Sequence, residues 1–74
     1  PARISLQIAT VSGREGRAEV QIESLSGKRY YSGSFHLQVG KNEIRVPLNG
    51  MPAGIYLLRF FEGRESMTRL FIKF

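Results

Sequence analysis

Apolar residues in this chain recur at every second position, and that period allows strands but no amphipathic helix. Ile4, Leu6 and Ile8 alternate with Ser5 and Gln7, and Ala18, Val20 and Ile22 alternate with Glu19, Gln21 and Glu23. The same rhythm returns in Phe35, Leu37 and Val39, in Ile44, Val46 and Leu48, and in Leu70, Ile72 and Phe74. Successive side chains of a strand point to opposite faces, so each run predicts one buried and one wetter face.

Turn-forming residues fall between the runs. Ser12-Gly13-Arg14-Glu15-Gly16 reads as a loop, Ser26-Gly27, Gly40-Lys41-Asn42 and Gly63 as turns, and Asn49-Gly50-Met51-Pro52-Ala53-Gly54 as a longer connection. Gly33 interrupts a long run and predicts a bulge or bend that divides it. The pattern therefore predicts seven short strands, at 3–10, 17–24, 28–32, 34–39, 43–48, 55–62 and 66–74. Regularly spaced short strands imply an all-β fold, an Ig-like antiparallel β-sandwich of about seven strands. Pro47 cannot donate to a ladder and predicts an edge position for strand 43–48. Ile55–Phe61 is apolar on both faces, as expected of a central strand covered on both sides or of one whose outer face meets a partner.

The chain is 74 residues long, enough for a single domain over 1–74 and no second core. It contains no Cys, no Asp, no Trp and one histidine, His36. That removes disulfides, thiolate zinc sites, Ser-His-Asp triads and multi-histidine metal sites. His36 alternates with Phe35 and Leu37 and reads as a surface residue. Glu19 and Glu23 share a strand face but lie about 13 Å apart at strand rise, too far for a paired-carboxylate site. No enzymatic activity, cofactor or metal is expected.

The net charge is +5, yet its cations are scattered from Arg3 to Lys73 with glutamates between them. No basic run marks a nucleic-acid site. The eight aromatic side chains, Tyr30, Tyr31, Phe35, Tyr56, Phe60, Phe61, Phe71 and Phe74, can stack bases on a sheet, but a small domain needs them for its core. The chain starts at Pro1 without a signal-peptide pattern, as expected of a segment of a longer protein.

Three segments are more specific. They are Ile22-Glu23-Ser24-Leu25-Ser26-Gly27-Lys28, the stretch Gly40–Phe60 containing Ala53-Gly54-Ile55-Tyr56, and Thr68-Arg69-Leu70-Phe71-Ile72-Lys73-Phe74. In order and spacing they resemble the type A C-terminal sorting domain of Bacteroidetes proteins exported by the type IX (Por) secretion system. The signature Ala53, Gly54, Ile55 and Tyr56 carries most of the resemblance, with Gly27 and Lys28 next. Ser24 departs from the Asp or Asn common in that family, and its Asn-Pro pair ahead of the first strand is missing. The resemblance implies a secretion address for an upstream passenger, recognised in the periplasm by shuttle proteins and an outer-membrane translocon. It further implies removal by a sortase-like cysteine peptidase and contact with anionic lipopolysaccharide, with the passenger released or held at the cell surface. Recognition is expected at the last strand, through Arg69, Lys73 and Phe74. An adhesive or carbohydrate-binding accessory module and a basic nucleic-acid-binding barrel are the competing expectations.

Overall fold

Alternation becomes register in the computed structural model, which describes residues 5–74. Six strands follow one another: β1 (Ser5–Ser12), β2 (Gly16–Ser24), β3 (Arg29–Leu37), β4 (Gly40–Pro47), β5 (Gly54–Glu62) and β6 (Glu65–Lys73). They form two antiparallel sheets, a pair β1-β4 and a four-stranded sheet ordered β3-β2-β5-β6. The sheets face each other as a sandwich. Ile8, Ile44, Val46 and Leu48 from the narrow side meet Ala18, Val20, Ile22, Leu37, Tyr56, Leu58 and Phe60 from the wide side in one core. The expected start of the first strand at 3–4 lies outside the described residues.

The count is six rather than seven because no break occurs at Gly33. β3 runs through it, with Gly33 opposite Val20. The irregularity falls earlier: between Ile22 and Glu23 the partner steps from Tyr31 to Arg29, leaving Tyr30 as the extra residue. Gly33 answers a different need. A Cβ there would stand 2.6 Å from the Tyr31 hydroxyl, because the Tyr31 ring lies across the glycine.

Pro47 sits in β4, whose one neighbour among the described strands is β1, so the edge expectation holds. The turn signal Gly40-Lys41-Asn42 falls inside β4, and the corner itself is Gln38-Val39. Asn42 closes that corner: its Oδ1 accepts from Gln38 N at 2.9 Å and its Nδ2 donates to Gln38 O at 2.8 Å. The chain returns to the wide sheet through residues 48–53, where Met51 is buried and donates its N–H to Leu48 O.

β5 is central, between β2 and β6, but it is covered on one side only. Tyr56, Leu58 and Phe60 are buried, while Ile55 is exposed and Leu57 and Phe61 are half-buried on the outer face. β6 departs further from expectation. Its inner phase carries Arg69, Phe71 and Lys73, and Leu70, Ile72 and Phe74 face outward. The cause is register: Phe71 lies opposite buried Tyr56 and stacks on it, which turns its neighbours to the other face.

Two substitutions test this architecture. Ile22 is fully buried, so Ile22→Ala should cost about 3 kcal/mol, a large share of what so small a domain has. Gly27 has φ +93° and open space where a Cβ would go. Gly27→Ala should therefore cost about 1 kcal/mol through backbone conformation alone. Urea unfolding midpoints check both.

Candidate functional site

Most of the residues expected to matter, from Gly27 and Lys28 through Ala53–Tyr56 to Lys73, gather at one end of the four-stranded sheet, while Arg69 lies mid-strand opposite Leu58. β2 ends there at Ser24, β3 and β5 begin there, and β6 finishes there. Ser24 pairs with Tyr56, Tyr56 with Phe71, and Gly54 with Lys73. Segments far apart in sequence are thus brought side by side.

The β2–β3 turn is built by Ser24 and Gly27. Gly27 N donates to Ser24 O at 2.9 Å, Ser24 N donates to Lys28 O at 2.8 Å, and Lys28 N donates to Ser24 Oγ at 3.2 Å. Ser24 therefore fills the turn role that an Asp or Asn side chain also serves. The turn places Lys28 Nζ 5.0 Å from the centre of the Tyr30 ring, a cation–π contact. Tyr30 meets Tyr56 edge to face at 5.5 Å, and Tyr56 stacks on Phe71 at 5.6 Å. Lys28, Tyr30, Tyr56 and Phe71 form a continuous row from turn to edge strand.

Tyr56 anchors the row. Only 3% of its surface is exposed, and its hydroxyl donates to Pro52 O. Burial, with a smaller contribution from Tyr30, holds its phenol above the ordinary value of 10.0. Gly54 opens β5 at φ +158°. Ala53 is exposed in the preceding connection.

Beside this row lies an apolar patch, which agrees with the second of the two expectations for Ile55–Phe61, an outer face left open, and adds residues of β6 to it. Ile55 pairs with Ile72 and Leu57 with Leu70, so these side chains form one block on the outer face. Leu70 is 64% and Ile72 58% exposed, and Phe74 beside them is 94% exposed. β6 is also an edge, with β5 its one neighbour among the described strands. The signal was present in the apolar run Ile55–Phe61, whose outer face is covered by no second layer among the described residues.

The other expected chemistry stays apart. His36 is exposed and its Nε2 lies 3.1 Å from Glu15 Oε1. Glu19 is exposed, and Glu23 pairs with Arg59 at 2.9 Å. Among the described residues no group of His, Asp or Glu side chains is placed to hold a metal. Tyr56 and Phe60 are core, and Tyr30, Tyr31, Phe35 and Phe71 pack against it. At the opposite end of the sandwich a cleft runs between the β1–β2 loop and the β5–β6 turn, lined by Arg14, Arg17, Arg64 and Glu62. Ser12 Oγ there lies 3.0 Å from Glu62 Oε2.

A family model, the secretion system C-terminal sorting domain, matches residues 1–73. The chain belongs to that family. No curated protein and no solved structure matches the chain significantly. A sorting domain of this kind is a secretion signal, and a protein that carries it is secreted or displayed at the cell surface. Within the sorting domain, the Gly27-Lys28 turn and the Ala53–Tyr56 segment are neighbours in space, joined through Tyr30, Tyr56 and Phe71.

Tyr56→Phe deletes the hydrogen bond to Pro52 and keeps the ring, so it should cost about 1 kcal/mol. The phenol is harder to ionise folded than unfolded. Its stabilisation is therefore complete below about pH 10, the unfolded value, and is lost as pH rises through the higher folded value. Thermal unfolding of the sorting domain from pH 8 to 12 should show an alkaline decline that is shallower in Tyr56→Phe.

Proposed function

We propose that this domain is the type IX secretion address of a larger passenger protein, acting by being bound and not by catalysis. In this reading the folded domain is met in the periplasm by shuttle proteins and delivered with its passenger to the outer-membrane translocon. A sortase-like cysteine peptidase then separates it from the passenger, which is released or attached to anionic lipopolysaccharide. The family assignment supports the sorting role, and the steps of transit, cleavage and attachment are the proposal.

The observation that carries the location is the exposure of β6. Among the described strands it has no neighbour along its outer edge, and it presents Leu70 and Ile72 outward. A strand in that state is suited to capture by strand addition, in which main-chain hydrogen bonds give affinity and side-chain pockets give selectivity. Exposed apolar area of this kind marks interaction sites on soluble domains. Arg69, Lys73 and Phe74 lie on the same strand or directly after it. The row from Lys28 to Phe71 holds β6 in register and so acts on recognition indirectly.

A passenger fusion tests this. Leu70→Glu with Ile72→Glu changes exposed positions and leaves the core intact, and deletion of Ile72–Phe74 removes part of the strand. Both should leave the reporter cell-associated, while the wild-type fusion reaches the medium or the cell surface. Normal export of the double substitution would overturn β6 as the surface that is read.

A further inference from the structure

The chemistry of β6 also specifies what can pair with it. Its inner phase carries Met67, Arg69, Phe71 and Lys73, and its outer phase carries Leu70 and Ile72. Arg69 and Lys73 are thus on the inner side of an edge strand, a position where charge discourages indiscriminate strand pairing. Neither has a carboxylate within 4.0 Å among the described residues, where the ion pairs are Glu23–Arg59 and the Glu15–His36 contact. Any strand laid along β6 places side chains directly opposite these two residues, with Cβ atoms about 5 Å apart. A partner without carboxylates there leaves two cations partly desolvated and uncompensated.

Resting on the reading of β6 as the recognised strand, we propose that the free edge of β6 takes a partner protein segment with an acidic–apolar pattern. This segment joins the sheet as its next strand. It presents carboxylates opposite Arg69 and Lys73 and apolar side chains opposite Leu70 and Ile72. The required pattern is two acidic residues four positions apart with apolar residues next to each on the intervening side, matching the spacing of Arg69 and Lys73. The same sheet already contains such a match: Glu23 of β2 and Arg59 of β5 pair across adjacent strands at 2.9 Å. A second copy of β6 fits less well. It brings Arg69 and Lys73 again and one carboxylate, Glu65, which no single register sets against both cations. The other edge of the wide sheet, β3, offers Ser32, Ser34 and His36 on its outer phase and no apolar block.

The probe is a synthetic peptide of about nine residues, a typical strand length, with two glutamates four apart and leucines between them. A control peptide has lysines in place of the glutamates. Binding to the full chain is followed by backbone amide shifts. The glutamate peptide should shift residues 65–73 and bind about tenfold more tightly than the lysine peptide. Arg69→Glu with Lys73→Glu should reverse that preference, and Arg69→Gln with Lys73→Gln should abolish it. Equal binding of the two peptides, no binding, or shifts centred on β3 would overturn the inference. Export of a passenger fused to the Glu double variant separates the two readings. Lost export with an unchanged peptide preference overturns the acidic partner and keeps β6 as the sorting surface. Unaltered export with a reversed preference keeps the acidic partner and overturns the sorting role.

Discussion

Two strands cannot cover four, and most of this domain follows from that mismatch. The β1-β4 pair packs Ile8, Ile44, Val46 and Leu48 against the wide sheet. The apolar area it removes from water is concentrated on β2, β5 and the end of β3, where Val20, Ile22 and Leu37 are completely buried. The hydrophobic contribution scales with that area, so stability is concentrated in the same place. β6 lies beyond this cover. Of its residues only Phe71 and Lys73 are even half-buried.

The row of Lys28, Tyr30, Tyr56 and Phe71 compensates at that margin. It links the turn after β2, the start of β5 and the end of β6 through ring contacts of 5.5 and 5.6 Å. Aromatic pairs in such geometries add to what area burial alone provides. The buried Tyr56 hydroxyl is satisfied by Pro52, so the connection before β5 is held by the same residue. The Gly27-Lys28 turn and the Ala53–Tyr56 segment are thus the parts of the chain that position its edge strand.

Period-two patterning carried the fold class, and for β2 and β4 it also carried the buried face, because their apolar residues occupy one phase only. It failed where both phases are apolar. In β5 and β6 the sequence offers Leu70, Ile72 and Phe71 alike, and the choice between faces is made by Phe71 pairing with Tyr56, a tertiary contact. Gly33 suggested a break on local grounds, whereas its role is to leave room for the Tyr31 ring. The site was legible as motif residues but not as a place. Nothing in Gly27-Lys28 or Ala53–Tyr56 alone shows that they meet, and the apolar block on the outer face exists only once Ile55 is set beside Ile72.

The small share of β6 in the core has a dynamic consequence. If β6 separates from β5, the loss to the buried cluster is essentially the Phe71 contact, and Val20, Ile22, Leu58 and Phe60 stay packed beneath β1 and β4. The domain therefore has a partial opening that is cheaper than global unfolding, the behaviour of a separate cooperative unit in hydrogen exchange. Amides of β6 would exchange through this opening while those of β2 wait for complete unfolding. A partner that pairs with β6 on the sheet would therefore oppose this opening without disturbing the core beneath β1 and β4.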